Sequence, residues 1–352
     1  MNFKYILTTK NFFKEGPCGR VSHAKGFVDG LIHNRASVTL ISDGGAEEFV
    51  EKNSNLIFKN INNFFYIFCF FEIFKSILKK EKIVIRWRFF LPYIFFPFLL
   101  IYKNFYFEVN TITGVNSKNF VIRNAVKLSI VIVAKFSKII VVSANSKQEI
   151  HGICFPVHKI YIMPNGFNPE PFLKYEANIN FDVKPNLIYF GKKQEYYDWD
   201  MLFDVYERNK NNFDKFYIFG FDGENDSSKE FLGSFNHNSL IEKLSALYNP
   251  ILILHPSDTQ MAKSGSPMKL FEYASLNLPM VVGNSIQQQA SKLNGVIFYQ
   301  SGNSEDLLNT LISVTKNYQS YYQQSQQLRQ SVMENYTWSK IVADWLKNLD
   351  MK

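Results

Sequence analysis

The way short apolar runs alternate with helix-forming stretches is the feature that most restricts how this chain can fold. The runs at 38–41, 105–109 and 139–142 hold four or five residues each and are apolar at almost every position. Longer stretches with helical spacing separate them. Short, nearly continuous apolar strands that alternate with helices are typical of parallel sheets covered on both faces. We therefore predict an α/β protein with doubly wound sheets.

The length of the chain, 352 residues, suits two domains of ordinary size. We predict a first domain over 1–168, a polar, proline-rich linker over 169–185 and a second domain over 186–335. The segment 336–352 is predicted as a final helix. The opening residues are too few and too polar for a signal peptide, and we expect a first strand there. No run of eighteen apolar residues predicts a membrane span.

The three cysteines, Cys18, Cys69 and Cys154, lie far apart, without the CxxC spacing of a metal site. This usage predicts a reduced, cytoplasmic compartment.

Charge is unevenly distributed between the two halves of the chain. Residues 1–174 contain 23 Lys and Arg against 11 Asp and Glu, whereas residues 175–352 contain 16 against 20. A basic first half predicts an anionic partner for the first domain: a membrane surface, a lipid phosphate or a nucleic acid. The sequence contains no recognisable nucleic-acid-binding module, which disfavours the last of these.

Two phenylalanine-rich segments, 63–82 and 87–103, allow two interpretations. Seven basic residues and only two acidic ones lie between Glu72 and Lys103. Aromatic bulk flanked by Lys and Arg favours a segment that rests on an anionic membrane surface. The alternative is ordinary helices packed on the sheet with solvated lysines at their ends. Both interpretations can hold on different faces of the same helices.

The stretch 263–282, KSGSPMKLFEYASLNLPMVV, carries the clearest chemistry. The small residues Ser264, Gly265 and Ser266 precede Pro267, which can open a helix that we expect to reach about residue 276. Lys269 falls in the first turn, and Glu272 lies one turn further along the same face. A helix start with a nearby lysine can hold a diphosphate, and a neighbouring carboxylate can hold ribose hydroxyls. The alternative is a surface loop and an ordinary amphipathic helix.

The segment SPMKLFEYASLNLPMVV resembles the donor-nucleotide segment of family 4 glycosyltransferases of the GT-B fold, in the variant S/N-P-x-K-x-x-E-Y. The resemblance implies two Rossmann-like domains that face a central cleft, with a final helix that crosses back to the first domain. It also implies that Glu272 holds the ribose. Many family members carry a second glutamate eight residues earlier, where this chain has Ser264.

Other segments extend the resemblance to the donor phosphates. Family members place an arginine after the glycine that corresponds to Gly191, and Lys192 matches that position. A second phosphate-binding lysine would fall on Tyr197 or Asp198 and is missing, so Lys269 would supply its charge. The donor-binding residues implied in this way are Gly191, Lys192, Gly265, Ser266, Pro267, Met268, Lys269 and Glu272.

In the first half, the resemblance implies a glycine loop at Gly16 and Gly19 and an interdomain turn at Asn165 and Gly166. It further implies catalytic roles for three residues, His23 in the first helix and Glu108 and Asn110 at a strand end. The alternative for His23 is a partly buried helix histidine.

A DxD pattern, Asp198-Trp199-Asp200, could suggest a metal site. These aspartates precede a helix, so at least one of them is better explained as a helix N-cap. The resemblance to family 4 glycosyltransferases implies no metal requirement and no cofactor beyond the nucleotide-sugar.

The resemblance implies transfer of a sugar from a UDP- or GDP-linked donor to a glycan or lipid-linked acceptor, with retained anomeric configuration. We expect it in bacterial surface polysaccharide synthesis, such as capsule or lipopolysaccharide, on the inner face of the cytoplasmic membrane. Two alternatives are a nucleotide-sugar epimerase of the same fold and a non-catalytic, membrane-attached subunit of a polysaccharide assembly complex. The missing second glutamate keeps the subunit hypothesis open.

Overall fold

The computed structural model describes residues 1–8, 19–43, 53–61, 63–112, 114–155 and 159–350. Gly16 and Cys18 lie outside the described residues. The chain forms two compact units. Unit 1 comprises residues 1–165 and 338–352, and unit 2 comprises residues 166–337.

A parallel sheet forms the centre of unit 1, with seven strands among the described residues. They are β1 (Asn2–Ile6), β2 (Ser37–Ser42), β3 (Leu56–Asn60), β4 (Lys82–Arg86), β5 (Phe105–Val109), β6 (Lys138–Val141) and β7 (Ile160–Ile162). The spatial order is β3-β2-β1-β4-β5-β6-β7, so the direction of winding reverses between β1 and β4. Open α/β sheets place their ligands at the carboxyl ends of the strands near such a reversal.

Helices cover both faces of this sheet. One face carries α1 (Gly19–His33) and α13 (Trp338–Asp350), where Trp345 packs against the rings of Phe3 and Tyr106. The other face carries α2 (Phe65–Leu78), α3 (Leu91–Ile94), α4 (Phe96–Ile101), α5 (Phe120–Phe136) and α6 (Ala144–Ile153), which share one apolar core with the strands. The nearly unbroken apolar strands follow from this burial on both faces.

Unit 2 is built on a second parallel sheet. Its strands are β8 (Asn186–Phe190), β9 (Phe216–Phe219), β10 (Lys229–Phe231), β11 (Pro250–Leu254), β12 (Met280–Gly283) and β13 (Ile297–Tyr299), in the spatial order β10-β9-β8-β11-β12-β13. Its helices are α7 (Trp199–Asn209), α8 (His237–Ser245), α9 (Gln260–Ser264), α10 (Met268–Ala274), α11 (Ser304–Lys316) and α12 (Tyr318–Asn335). The predicted α/β class with doubly wound parallel sheets is confirmed.

The segment 169–185, expected as a linker, is packed within unit 2. The Phe172 ring lies 5.3 Å from that of His237, and Tyr175 is buried. The Asn180 amide N–H donates to Asn249 Oδ1 at 2.9 Å. These contacts add the segment to the compact unit that follows it.

No helix in the described part of the chain has both the length and the apolar character needed to cross a bilayer.

Glycines on α1 allow α13 to pack closely. A methyl group added at Gly30 would lie 2.7 Å from both the backbone oxygen of Trp338 and a side-chain carbon of Val342. A backbone atom cannot move aside as a flexible side chain can. By contrast, a methyl group at Gly152 in α6 would meet nothing within 4 Å.

We expect Gly30→Ala to destabilise unit 1 by about 1–3 kcal/mol, because the helices must move apart to admit the methyl group. Gly152→Ala is the matched control and should be neutral or stabilising by up to about 1 kcal/mol, since alanine favours helix over glycine. Urea unfolding followed by tryptophan fluorescence measures both. Equal midpoints for the two variants would contradict the close packing of α1 on α13.

Candidate functional site

A buried carboxylate, Glu108, is the centre of a polar cluster in unit 1. It is 1% exposed and lies near the carboxyl end of β5. Its Oε1 lies 2.5 Å from His23 Nε2 and accepts a hydrogen bond from Asn110 Nδ2 at 2.8 Å. Tyr5 donates its hydroxyl proton to Oε2 at 2.6 Å, and an Arg86 guanidinium nitrogen lies 3.9 Å from Oε1. Both carboxylate oxygens are therefore engaged within the unit.

The parallel sheet brings these residues together. Tyr5, Arg86 and Glu108 belong to the adjacent strands β1, β4 and β5, and Arg86 pairs directly with Glu108 in the strand register. His23 enters from α1, one turn after the helix begins at Gly19. The carboxyl ends of neighbouring strands and the second turn of a covering helix thus meet at one point.

The charges and hydrogen bonds of this cluster determine the protonation states of Glu108 and Tyr5. Burial by itself would raise the pKa of Glu108, but the charges of His23 and Arg86 and the hydrogen bonds from His23 and Tyr5 hold it well below its usual range. Burial and the adjacent Glu108 charge raise the pKa of Tyr5 well above its ordinary value. Glu108 is thus an ionised acceptor, and Tyr5 is a neutral donor.

The second ring nitrogen of His23 faces another predicted residue. Nδ1 lies 2.5 Å from Asn165 Oδ1, and the His23 ring meets the Trp338 ring edge-on at 5.0 Å. Asn165 is the last residue of unit 1 before the chain passes to unit 2, and Trp338 is the first residue after it returns. His23 therefore contacts both of the residues at which the chain leaves and re-enters unit 1.

The structure brings together four of the residues chosen from the sequence in unit 1: His23, Glu108, Asn110 and Asn165. Gly19 begins α1, and Gly166 is the first residue of unit 2. Tyr5, Arg86 and Trp338 were not predicted as site residues from the sequence. The first two stand at or near the ends of apolar strands, and that position is the signal that could have identified them.

In unit 2, the ammonium group of Lys269 is the centre of a second cluster. Its Nζ donates to the Tyr189 hydroxyl at 2.5 Å and to the Lys192 carbonyl at 3.0 Å. It also lies 4.7 Å from the centroids of both the Tyr189 and Tyr197 rings. A cation over the faces of two aromatic rings gains electrostatic stabilisation from each. Burial nevertheless lowers the pKa of Lys269 to about 7, against a smaller opposing effect of Glu272.

Gly191 makes room for this lysine. A Cβ at this position would lie 1.9 Å from Lys269 Cε. Its φ of +133° also falls in a region that residues with a side chain rarely adopt. Lys269, which is far away in the sequence, is therefore in direct contact with Gly191 and Lys192 at the end of β8.

Glu272 stands one turn beyond Lys269 on α10. Within the described residues, its carboxylate makes no hydrogen bond or ion pair, and the side chain is partly exposed. Burial raises the pKa of Glu272 to about 7, although the charge of Lys269 opposes this. This carboxylate is available to a ligand.

The loop before α10 is held in place by Gln289, whose side-chain amide donates to the carbonyls of Lys263 at 2.6 Å and Gly265 at 2.7 Å. The expected loop is partly helical, because Ser264 ends α9. Ser266 is buried. Pro267 is the N-cap of α10, so the helix begins at Met268, one residue later than expected, and ends at Ala274 rather than near 276.

Asp198 caps α7, as its place before a helix suggested. Its carboxylate accepts from the Met201 amide at 3.3 Å, and Asp200 lies in the first turn. In the ranges that the structure describes, no group of three His, Cys, Asp or Glu side chains is arranged to hold a metal ion. That the protein requires no metal stays a prediction.

The Glu108 cluster predicts a pH dependence for the stability of unit 1. Because the pKa of Glu108 is lower in the folded than in the unfolded chain, its ionisation stabilises the fold above about pH 4.3. That contribution is lost as the pH falls through the folded pKa. We expect Glu108→Gln to cost about 3–5 kcal/mol at neutral pH, since it leaves His23 and Arg86 without their buried counter-charge.

Tyr5→Phe is the control for this prediction, because it removes one hydrogen bond and keeps the charge. It should cost about 1.5–3 kcal/mol and retain the acid sensitivity of the wild type. Urea midpoints measured from neutral to acidic pH separate the two variants. A Glu108→Gln variant as acid-sensitive as the wild type would refute the assignment.

Comparisons with known proteins place the fold. No protein-family model matches the chain, and no curated protein sequence matches it. Among solved structures, Anabaena HepE in complex with UDP-glucose is similar at a TM-score of 0.70 and 12% identity, over 100% of both chains. Sucrose-phosphate synthase from Thermosynechococcus elongatus has a TM-score of 0.70 at 11% identity, covering 100% of this chain and 99% of that one.

The lipopolysaccharide outer core galactosyltransferase WaaB, in its apo form, has a TM-score of 0.68 at 12% identity over 99% of both chains. At such identities the likeness concerns the fold. The chain has the fold of GT-B glycosyltransferases, as the donor segment predicted.

Proposed function

We propose that this protein is a glycosyltransferase that uses a nucleotide-sugar donor. The observation that carries the proposal is the pairing of Lys269, seated against Gly191 and Lys192, with the available carboxylate of Glu272 one turn away. A cation and a carboxylate at this spacing suit the diphosphate and ribose of a nucleotide. The shared fold supports the proposal, since HepE has that fold and was solved with UDP-glucose.

In this proposal the donor diphosphate replaces the present partners of the Lys269 ammonium group. Lys192 and the backbone of Gly265, Ser266, Pro267 and Met268 would line the same phosphates. The tyrosine hydroxyl and the carbonyl that now hold Lys269 are neutral, so a diphosphate would bind the ammonium more strongly. As the glycosidic bond breaks, Lys269 and Lys192 would neutralise the charge that develops on the leaving diphosphate.

We further propose that transfer retains the anomeric configuration and requires no divalent metal. The resemblance of the donor segment to family 4 enzymes supports both points. The capping role of Asp198 also supports the absence of a metal requirement, because that carboxylate already accepts a hydrogen bond at the start of α7.

In unit 1, we propose that Glu108 positions His23 and Asn110 rather than reacting itself. Its two oxygens are already engaged, and its low pKa makes it a poor proton acceptor. Whether His23 and Asn110 take part in catalysis stays a prediction.

For the acceptor, we propose a lipid-linked or glycan molecule of bacterial surface polysaccharide synthesis, at the inner face of the cytoplasmic membrane. The excess of Lys and Arg in the first half of the chain supports an anionic surface as partner. WaaB, which shares the fold, is a lipopolysaccharide galactosyltransferase.

A screen of UDP- and GDP-sugars for thermal shift and slow hydrolysis tests the activity, with and without chelator. Hydrolysis of one donor in excess chelator supports a metal-independent transferase. Release of a free epimerised sugar would indicate the epimerase instead. Binding without turnover, even with acceptor extracts, would favour the non-catalytic subunit, which the serine at position 264 also keeps open.

Replacing Glu272 tests the nucleotide site directly. We expect Glu272→Ala to weaken nucleoside diphosphate binding by about 1.5–3 kcal/mol, since a charged acceptor for the ribose hydroxyls is lost. Glu242→Ala, at an exposed position on α8, is the matched control and should bind as the wild type does. Isothermal titration with UDP and GDP measures both. Unchanged affinity in Glu272→Ala would exclude the ribose assignment.

The affinity for the diphosphate should also pass through a maximum near pH 7. Above it, Lys269 loses its proton, and the affinity should fall by up to about tenfold per pH unit. Below it, Glu272 gains a proton and becomes a poorer acceptor. Lys269→Arg keeps its charge at high pH, so the alkaline fall should disappear in that variant. Affinity that does not vary with pH in the wild type would contradict the assignment of both groups.

A further inference from the structure

Helix α2 buries two polar side chains beside two apolar ones and leaves most of its large apolar side chains outward. Its buried face consists of Cys69, Glu72, Ile73 and Ser76. Its outward face carries Tyr66, Ile67, Phe70, Phe71, Phe74 and Leu78, of which Phe71 is 59% and Leu78 is 68% exposed. A surface helix of a globular protein normally turns its apolar side to the core and its charges to water. Here the large aromatic side chains face outward.

Buried charges fix this orientation. Glu72 is 1% exposed and accepts hydrogen bonds from Lys4 at 2.9 Å, Lys59 at 2.8 Å and Lys75 at 3.1 Å. Burial alone would raise the pKa of Glu72, but the three lysines lower it to about 2. Turning the helix to bury its phenylalanines would separate Glu72 from Lys4 and Lys59, which lie outside the helix, and would deprive the buried Lys4 of its nearest carboxylate. The aromatic face is therefore held outward.

The neighbouring helices continue this surface. The Phe70 ring lies 4.4 Å from that of Phe98 in α4, and Tyr66 lies 5.6 Å from Phe90 just before α3. Tyr93 in α3 donates to the Ala125 carbonyl in α5 at 2.6 Å. We call the exposed apolar side chains of α2 to α5, together with Phe64 and Phe89 just before α2 and α3, the aromatic plateau. They are Phe64, Tyr66, Ile67, Phe70, Phe71, Phe74, Leu78, Phe89, Tyr93, Ile94, Leu100, Ile101, Phe120, Val121, Ile122, Leu128 and Val131.

Most of the large apolar side chains that are exposed in the described part of the chain belong to the plateau. It holds 17 of the 26 large apolar side chains that are exposed among the described residues. Large apolar side chains concentrated in this way on the helices of one sheet face indicate a binding surface.

The charges around the plateau have one sign. Between residues 64 and 135 the sequence has only three acidic residues, Glu72, Glu81 and Glu108. All three are engaged inside the unit; Glu81 accepts from Ser76 at 2.7 Å and lies 3.7 Å from Lys4. The exposed charges there are basic, among them Lys75, Lys79, Lys80, Lys103, Lys118 and Lys127. A second copy of the same surface would bring like charges together, whereas an anionic leaflet complements them.

We propose that the aromatic plateau inserts into the headgroup region of an anionic bilayer, with the surrounding lysines on the lipid phosphates. Apolar helix faces at such interfaces bury about 5–10 Å into the boundary between headgroups and acyl chains. The inference names the surface by which the proposed transferase would reach a lipid-linked acceptor, and to that extent it rests on the proposed function. The membrane binding itself can be tested without any donor or acceptor.

Vesicle flotation tests the insertion. We expect the wild type to float with vesicles of phosphatidylcholine and phosphatidylglycerol, and less with phosphatidylcholine alone. High salt should remove only part of the binding, because the aromatic contribution is not screened. The double variant Phe71→Ser/Phe74→Ser should bind about tenfold to a hundredfold more weakly at any salt concentration. Phe181→Ser, at a position 53% exposed in unit 2, is the matched control and should float as the wild type does.

The lysines are tested separately. Lys79→Glu should weaken binding severalfold at low salt and have little effect at high salt, because each basic residue near an anionic surface contributes about a fivefold gain in affinity. Insertion is tested with Phe71→Trp and Phe181→Trp in vesicles of brominated lipid. Bromine should quench the added fluorescence of the first variant and leave that of the second unchanged.

Two controls separate this proposal from the proposed function. The circular dichroism spectrum and the thermal shift with nucleoside diphosphate should be unchanged in every plateau variant, since Lys269 and Glu272 lie in unit 2. Absence of flotation, or flotation that Phe71→Ser/Phe74→Ser does not reduce, would overturn the proposal. So would a dimer in lipid-free sedimentation that this double variant dissociates, which would assign the plateau to a second copy.

Discussion

The buried Glu108 carboxylate is the interaction on which the arrangement of unit 1 depends. It joins three adjacent strands to the first helix through Tyr5, Arg86 and His23. A charge so far from water persists only when its partners satisfy it. His23 in turn contacts Asn165 and Trp338, where the chain leaves and re-enters the unit. The residues that resemble a catalytic set are thus also the residues that fix the two chain connections.

Unit 2 uses a buried charge in a different way. Lys269 has neutral partners, two tyrosine rings, a hydroxyl and a carbonyl, and its pKa falls towards neutrality. A satisfied ion pair such as that of Glu108 is stable and chemically inert. An ammonium held only by neutral groups retains most of its attraction for an anion. This contrast is why we propose Lys269 and Glu272 as the ligand site and a positioning role for Glu108.

In helix α2 a third buried charge, that of Glu72, determines which side chains are exposed on the surface. Lys4 and Lys59, which lie outside the helix, hold Glu72 and so fix the helix with its phenylalanines outward, which leaves apolar area in water. A membrane surface would remove that cost. The sequence had left two interpretations of this segment, a helix packed on the sheet and an interfacial helix. The structure places it on the sheet by one face and leaves the other face open.

The sequence by itself determined the local pattern: strand and helix alternation, the cap at Asp198, and the donor segment from which the fold was inferred. These features depend on neighbouring residues and on spacing, which a linear pattern records. Only the tertiary structure decided which distant groups meet. His23 and Asn165 are 142 positions apart, and Lys269 reaches Tyr189 across 80. The sequence also could not predict which side of α2 faces outward. Apolar residues occur on nearly all sides of this helix, so their spacing does not show that Glu72 is buried. Contacts of this kind are set by strand order and register, which the packing of the whole unit selects.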